Sequence, residues 1–383
     1  MKIGINLNGF WPGKIGGAET YVRNLIEQLQ HLDTPDTYSL LCSEEIITEI
    51  PLFDQRFSVK LSAYRKSSTK KFIRSLLWNT IKIDILQAEP RYLNYDVVHH
   101  PFSLIRKGWE RVPSVLTFLD MQHEFYPEYF SVEELRNRRE DYRRSAKAAT
   151  RIIAISQHAK QSLIDHYGVS EEKIDVVYLG SSQAYGTSPN TELMAAVCER
   201  FSLTRPFLYY PAATWPHKNH KNLLAALKVM IERYGFDGEL VLTGVAANVH
   251  QDVLAEIARL GLTDRVRMLG NVDYEVLPLL YALARVMVFP SMFEGFGIPL
   301  VEAMSSGCPV ACSNAASIPE VVGDAAAMFD PRSIEEMAEV VWRIWESDVV
   351  RSGLIEKGLQ RARLFDWQEM ARQTTRVYVK AVG

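Results

Sequence analysis

The sequence predicts an α/β protein built from two successive Rossmann-like domains, each with a doubly wound parallel sheet. Short apolar, β-branched runs alternate with amphipathic helical stretches along all 383 residues, which is the order that builds parallel sheets. A chain of this length exceeds what one hydrophobic core supports, so we expect two domains. Glycine turns follow several of the strands, and the carboxyl ends of parallel strands are where such sheets bind ligands.

The bulk composition is that of a soluble globular protein. The chain is 47% hydrophobic and 23% charged, and its formal net charge of −3 argues against a nucleic-acid partner. No stretch reaches the ~18 uninterrupted apolar residues of a membrane span, and the first residues, M-K-I-G-I-N-L, lack a signal-peptide core. The four cysteines have no metal-type spacing. We therefore expect a cytoplasmic protein with reduced thiols.

The first half of the chain alternates predicted strands and helices. Strands are expected over 2–7, 38–42, 57–61, 96–100, 114–119, 151–156 and 173–180, and helices over 18–30, 133–149 and 157–167. Gly16 and Gly17 join the first strand to the first helix, and a turn of this kind offers backbone N–H groups to an anion. His99, Asp120 and His123 lie at or just after strand ends, so they are candidate contacts for a second substrate.

A basic segment interrupts this pattern. Residues 55–83 contain eight lysines and arginines and no acidic residue. Within it, Phe72, Leu76 and Ile81 are among the apolar residues that share one helical face. Such a helix suits an anionic membrane surface or an acceptor's pyrophosphate, and it equally suits a helix packed on its own domain. We predict that 65–83 makes a peripheral contact with the inner membrane face.

The second half repeats the strand–helix alternation after a linker. The stretch 181–190 is rich in Ser, Gly, Pro and Asn without periodicity, and the linker is assigned to 184–205. Strands are then expected over 206–211, 239–244, 266–269, 285–289, 309–313 and 326–329, and helices over 223–234, 249–260, 277–284, 299–306, 334–346, 354–363 and 367–381.

Two carboxylates stand in a glycine-bounded stretch of this second half. Residues 289–313 read F-P-S-M-F-E-G-F-G-I-P-L-V-E-A-M-S-S-G-C-P-V-A-C-S, which predicts strand, glycine loop, short helix and strand. Glu294 would lie in the loop at the helix N-terminus, where free N–H groups attract anions, and Glu302 roughly 6 Å further along the helix axis. A phosphate between two hydroxyl-bearing sugars satisfies these features. Two solvated glutamates on a simple turn are the alternative.

The spacing Glu294-x7-Glu302 within E-G-F-G-I-P-L-V-E-A-M-x-x-G resembles the retaining glycosyltransferases of the GT-B fold, called family 4 or group 1. Gly16-Gly17-Ala18 is similar to the family's first glycine turn. The resemblance implies two Rossmann-like domains facing a central cleft. It implies an acceptor-side domain over 1–183, a nucleotide-sugar-binding domain over 206–365, and a last helix, 366–383, that packs back on the first domain.

The resemblance also assigns roles to residues. Glu294 would bind the hydroxyls of the transferred sugar, Glu302 the nucleotide ribose, and Lys218 the donor's diphosphate. The residues expected to bind the donor are Gly16, Gly17, Lys218, Gly244, Glu294, Gly295, Phe296, Gly297, Ile298, Pro299, Leu300 and Glu302. Glu294, Asp120 and Lys218 are the expected catalytic residues, and His99 and His123 the expected acceptor contacts.

Three features of the sequence bear on the mechanism. Leu119-Asp120 stands where the family has His-Asp, and no arginine precedes Lys218 in its loop, which leaves Lys218 as the main cation and Lys221 or His217 as candidate substitutes. No Asp-x-Asp occurs in the chain, so we expect no metal site, and the leaving diphosphate would be met by Lys218 and backbone N–H groups. Family members transfer with retention, with the departing phosphate helping to deprotonate the acceptor, so the missing histidine is tolerable.

The expected activity is transfer of mannose or glucose from a nucleotide-diphosphate sugar. W-P-H-K-N-H at 215–220 is similar to bacterial mannosyl- and glucosyltransferases of surface-polysaccharide assembly, which favours GDP-mannose over a UDP-hexose such as UDP-glucose. The acceptor would be a glycan or a polyprenyl-diphosphate-linked glycan. A GT-B phosphorylase or epimerase and an inactive nucleotide-sugar-binding protein remain alternatives. A dinucleotide dehydrogenase is disfavoured, because no Gly-x-Gly-x-x-Gly follows the first strand.

Overall fold

The computed structural model describes residues 1–13, 15–43, 46, 49–61, 94–106, 109, 112–186 and 190–383. Their contacts divide into two compact units, Met1–Tyr178 with Trp367–Gly383, and Leu179–Asp366. No helix in these ranges is long and apolar enough to span a bilayer. The basic segment 65–83, and the membrane contact predicted for it, lie outside the described residues.

The first unit is a seven-stranded parallel sheet flanked by helices. Its strands are β1 Lys2–Asn6, β2 Thr37–Cys42, β3 Phe57–Leu61, β4 Val97–His100, β5 Ser114–Phe118, β6 Arg151–Ala154 and β7 Ile174–Val176. Its helices include α1 Gly17–His31, α2 Gln122–Phe125, α3 Val132–Ala148 and α4 Gln157–Tyr167. The strand order is β3-β2-β1-β4-β5-β6-β7 and every pair is parallel. The order reverses between β1 and β4, which is the position where such sheets bind ligands.

The second unit is a six-stranded parallel sheet with the same reversal. Its strands are β8 Phe207–Pro211, β9 Glu239–Thr243, β10 Val266–Gly270, β11 Val286–Phe289, β12 Val310–Ser313 and β13 Ala326–Phe329, in the order β10-β9-β8-β11-β12-β13. Its helices are α5 Thr191–Arg200, α6 His220–Val229, α7 His250–Arg259, α8 Leu277–Leu283, α9 Ile298–Ser305, α10 Ile318–Val322, α11 Ile334–Glu346 and α12 Asp348–Ala362. The reversal lies between β8 and β11.

The final helix, α13 Trp367–Val382, belongs to the first unit. Its Thr374, Val377 and Tyr378 are buried, and the Tyr378 hydroxyl hydrogen-bonds His99 Nδ1 of β4 at 2.8 Å. The chain therefore leaves the first unit after β7 and returns to it with its last helix.

The sheets confirm the predicted α/β class, because buried parallel strands are the continuous apolar runs that the sequence displays. β11 is one example, with the sequence V-M-V-F and all four of its residues buried. The structure differs from the predicted elements where the hydrophobic periodicity of the sequence is weak. The range 184–205, predicted as linker, contains α5, whose cap is the Asn190 side chain and whose one buried residue is Val197. The five-residue α10 was missed because it is too short to establish a helical period.

Candidate active site

An ion pair joins two of the predicted residues in the second unit. Lys218 Nζ donates to Glu294 Oε1 at 2.6 Å, although 76 positions separate them. The two side chains are 17% and 13% exposed, so the pair is largely withdrawn from water while remaining reachable by a ligand. Lys218 Nζ also lies 5.8 Å from the centre of the Phe289 ring at the end of β11. The structure thus brings together the predicted cation and the predicted sugar-binding carboxylate.

The loop that carries Lys218 is fastened to the end of β11 by a set of hydrogen bonds. Asn219 adopts a left-handed conformation (φ 62°) and its Nδ2 donates to the carbonyls of Pro290 and Pro331 at 3.0 and 2.8 Å. The Met292 N–H donates to the His217 carbonyl at 2.7 Å. The Tyr210 hydroxyl donates to the Lys218 carbonyl at 2.9 Å. These bonds hold Lys218 beside Glu294 before any ligand arrives.

The glycine loop ends at the N-terminus of α9. Gly297 precedes the helix with φ 98°, a conformation that favours glycine, and a Cβ placed there would meet Leu300 Cδ1 at 2.9 Å. No side chain caps α9, so its first turn presents backbone N–H groups of the kind that bind phosphates. The Ser317 hydroxyl fixes the loop by donating to the Glu294 and Phe296 carbonyls at 2.9 and 3.2 Å.

Most side chains of this loop and first turn are turned into the core. Phe296, Ile298 and Leu300 are buried, so they can meet a ligand only through backbone groups, which is the role that the family resemblance implies for them. Gly295 and Pro299 are partly exposed beside them. Gly244 lies at the end of β9 with φ 130°, and its N–H donates to the Gly270 carbonyl at 2.8 Å. A Cβ at Gly244 would lie 2.6 Å from the Ala212 backbone, so only glycine fits there.

Glu302, the second predicted carboxylate, is held inside α9 by tyrosines. It is 7% exposed, and its Oε2 accepts a hydrogen bond of 2.9 Å from the hydroxyl of Tyr281 on α8. Burial raises the pKa of Glu302 to about 7, and the hydroxyls of Tyr281 and Tyr185 oppose that rise. The sequence did not single out these tyrosines, because in one sequence they resemble apolar core positions of a helix and a turn.

Neither predicted substitute supplies the charge of the missing arginine. Burial, with the neighbouring Lys218 charge, lowers the pKa of His217 to about 2, so this imidazole is uncharged near neutral pH. Lys221 points away to an exposed pair with Asp252 at 3.1 Å, with 54% of its own side chain exposed. Lys218 is therefore the cation of this loop that stands beside Glu294.

In the first unit, Gly16 and Gly17 begin α1. Gly16 is the residue before the helix, with φ 50°, and no side chain caps the helix there. A Cβ added to Gly16 would have no atom within 4 Å, so the backbone faces open space. Glu19 in the first turn accepts a hydrogen bond of 2.7 Å from the Gly13 N–H and pairs with Arg23. Gly16 and Gly17 are exposed in this turn, and contact of their backbone with a ligand stays a prediction.

Both histidines predicted to contact the acceptor are buried in the first unit. His99 is fully buried, and its ring nitrogens hydrogen-bond the Tyr378 and Thr117 hydroxyls at 2.8 and 2.7 Å. His123 is also fully buried, with Nε2 bonded to the Tyr167 hydroxyl at 2.8 Å. Burial lowers the pKa of His99 to about 3 and that of His123 to about 4. Contact of either histidine with an acceptor stays a prediction.

Asp120, predicted as catalytic, is half-buried just after β5, where its Oδ1 accepts a hydrogen bond from the Gln122 N–H at 3.1 Å. Over the described ranges of the chain, no group of three or more His, Cys, Asp or Glu side chains is arranged to hold a metal ion.

Two family models cover most of the chain. The model for glycosyltransferase family 4 matches residues 15–181, and the model for glycosyl transferases group 1 matches residues 199–361. An O-antigen chain mannosyltransferase B of Escherichia coli is 31% identical over 289 residues, which are 75% of this chain and 74% of the relative. This chain belongs to the group 1 (family 4) glycosyltransferases.

A second relative and a solved structure are also similar to this chain. An MMP α-(1→4)-mannosyltransferase of Mycolicibacterium hassiacum is 31% identical over 75% of this chain, and the match spans 65% of that relative, slightly less than two thirds. The crystal structure of Anabaena HepE in complex with UDP and glucose aligns over 99% of this chain and 100% of that one, with a TM-score of 0.73 and 22% identity. The fold of this glycosyltransferase is GT-B, with parallel sheets of seven and six strands.

Proposed function

We propose that this glycosyltransferase moves a hexose, mannose or glucose, from a nucleotide-diphosphate sugar to a glycan or a polyprenyl-diphosphate-linked acceptor in surface-polysaccharide assembly. The observation that carries the proposal is the Lys218–Glu294 pair of 2.6 Å at the uncapped N-terminus of α9. A cation and backbone N–H groups suit a diphosphate, and a carboxylate suits sugar hydroxyls, since each oxygen accepts hydrogen bonds. The second unit would bind the donor and the first unit the acceptor.

In this proposal the donor's diphosphate reaches Lys218 Nζ and the first turn of α9. An ammonium group has three donors, so Lys218 can hold a phosphate oxygen while it keeps Glu294 oriented. Glu294 then accepts hydrogen bonds from the hydroxyls of the transferred sugar, and Glu302 accepts them from the ribose. Backbone groups of Phe296, Gly297 and Ile298 add contacts to the sugar.

The bond that breaks joins the sugar's anomeric carbon to the diphosphate oxygen, which leaves with the electron pair. Lys218 and the N–H groups stabilise the negative charge that develops on it. The acceptor oxygen attacks from the same side, and its proton passes to the departing phosphate, so the configuration is retained. No strong protein base is needed, which agrees with Leu119 in place of a histidine. We propose that the reaction needs no metal ion, since the sequence contains no Asp-x-Asp.

GDP-mannose is the donor we favour. The O-antigen relative from Escherichia coli and the relative from Mycolicibacterium hassiacum are both described as mannosyltransferases. The HepE crystal structure, which contains UDP and glucose, supports UDP-glucose as the second candidate.

A thermal-shift panel of GDP-mannose, UDP-glucose and ADP-glucose, followed by a nucleotide-release assay in EDTA, tests the proposal. A matched donor should raise the melting temperature, because it binds only the folded protein. It should then be consumed in EDTA, with release of nucleoside diphosphate. Stabilisation without release would favour the inactive sugar-nucleotide-binding alternative, and no stabilisation by any donor would contradict the proposal.

We further propose that the enzyme works in the cytoplasm, where it meets its acceptor at the inner face of the membrane. A polyprenyl chain partitions into the bilayer, so the glycan that it carries is presented at the membrane surface. Flotation of the full chain with anionic and neutral liposomes at low salt tests this. Failure to float with anionic vesicles would contradict a peripheral location.

A further inference from the structure

Glu302 is an unusually enclosed residue for one proposed to contact a ligand. Its carboxylate is 7% exposed, and its Oε2 is occupied by the hydroxyl of the fully buried Tyr281 at 2.9 Å. The groups that compensate this burial are the neutral hydroxyls of Tyr281 and Tyr185. Removing one partner from a buried polar pair leaves the other with its desolvation penalty.

A second tyrosine stands beside the same carboxylate. Tyr185, in the turn Gln183–Gly186, is 1% exposed, and its ring meets the Tyr281 ring edge-on at a centroid distance of 5.8 Å. Its hydroxyl is near enough to Glu302 and Tyr274 to interact with both, yet it makes no hydrogen bond of full geometry. Tyr185 is therefore a second buried hydroxyl within reach of the Glu302 carboxylate.

We propose that Tyr281, with Tyr185 behind it, is a positioning residue for the donor's ribose and acts through Glu302. The Tyr281 hydroxyl fixes Oε2, which leaves Oε1 and the remaining lone pair of Oε2 to accept hydrogen bonds from the 2′- and 3′-hydroxyls. This role presupposes the nucleotide-diphosphate donor proposed above. It adds to that proposal two tyrosines that keep the Glu302 carboxylate ionised and oriented toward the ribose.

The protonation of Glu302 gives the role a measurable signature. Burial places its pKa at about 7, and the tyrosine hydroxyls act against that rise. Other titratable groups of this cluster are Tyr274, beside Tyr185, and Tyr209 of β8, whose hydroxyl is engaged with Thr243 at 2.8 Å. Without the Tyr281 hydroxyl the pKa of Glu302 rises further, so less of the carboxylate is ionised at pH 7. A protonated carboxyl group has lost accepting capacity, and raising the pH restores it.

The test is calorimetric titration of the full chain with GDP and UDP at pH 7 and pH 9, comparing wild type with Tyr281→Phe. A rise of one pKa unit predicts affinity about fivefold weaker than wild type at pH 7 and within about twofold of it at pH 9. The titration of the nucleotide's own phosphates cancels in the ratio of variant to wild type. With the matching 2′,3′-dideoxynucleoside diphosphate, the variant and wild type should bind equally at both pH values.

Tyr209→Phe is the matched control, since it removes another buried hydroxyl of the same tyrosine cluster and should leave the affinity ratio near one. Tyr185→Phe is the second variant, with a smaller loss of the same pH dependence, and it carries the test if Tyr281→Phe does not fold. Equal affinity of wild type and the tested variant at pH 7, or the same loss at both pH values, would overturn the positioning role alone. A wild-type protein that binds neither nucleotide would overturn the proposed function as well.

Discussion

Lys218 and Glu294 are joined by a hydrogen-bonded ion pair of 2.6 Å at the N-terminus of α9. A pair of this kind on an open surface contributes little, because water screens it. Here both side chains are mostly buried, and the Lys218 loop is tied to the β11 end through Asn219 and Met292. The two groups that the proposed reaction needs on either side of the breaking bond are therefore already in position.

Glu294→Gln should abolish most transfer. The amide keeps the size of the side chain but loses the negative charge that orients Lys218 and accepts the sugar hydroxyls. We expect turnover of the donor to fall by about 100-fold or more, as when a group that stabilises the transition state is removed. Nucleotide release from the matched donor measures this, with the exposed Glu275→Gln as control. Turnover within twofold of wild type would rule out the role of Glu294.

Lys218→Met should weaken donor binding rather than the fold. Losing a charge-assisted hydrogen bond to phosphate is expected to reduce donor affinity by about 10-fold to 100-fold and to remove most of its salt dependence. Lys221→Met is the matched control three positions along the chain, because Lys221 is exposed and paired with Asp252. Calorimetry at 50 mM and 300 mM salt would compare them; equal losses in the two variants would contradict the assignment.

Gly16→Ala should impair activity more than stability. A Cβ fits there without a clash, so the cost is the backbone conformation at φ 50° and ψ −128°, which non-glycine residues rarely adopt, about 1–3 kcal/mol in unfolding free energy. If donor phosphate approaches this backbone, the added methyl group lowers kcat/KM about tenfold or more. Gly13→Ala also places a side chain at a positive φ, 70°, with the same open space, and should lose stability but not activity. Indistinguishable activities for the two variants would remove Gly16 from the site.

Glu302→Gln should change how stability depends on pH. The pKa of this carboxyl is 4.5 by default and about 7 in the folded protein, so between those values the folded state binds more protons than the unfolded state. Stability from this group is therefore greatest below pH 4.5 and falls as the pH rises to 7, by at most about 3 kcal/mol. Relative to wild type, Glu302→Gln should gain stability between pH 5 and pH 8 in urea unfolding. A stability difference that does not change with pH would contradict the buried carboxylate.

Both sheets and the Glu294–Glu302 motif could be predicted from the sequence alone. Strands such as β11 and β8 are uninterrupted apolar runs, and buried parallel strands have that pattern whatever surrounds them. The Glu294–Glu302 stretch was predictable because glycine and proline constrain the backbone locally. Both signals lie within a few consecutive residues.

What the sequence could not provide depends on contacts between distant residues. The partner of Glu302 is 21 positions away on α8, and Tyr281 has no local feature that distinguishes it from a core residue. His99 lies at a strand end, where polar residues often bind ligands, but Tyr378 from the last helix occupies its ring. The uncharged state of His217 likewise follows from burial in the folded loop, which one sequence does not reveal.

The most direct measurement is proton NMR of the sugar released when the enzyme hydrolyses its matched donor in EDTA, before mutarotation. We predict release of nucleoside diphosphate and first appearance of the anomer that the donor carries, α for GDP-mannose, with neither product formed by Glu294→Gln. Release of the β anomer, or consumption of the donor that EDTA abolishes, would contradict it.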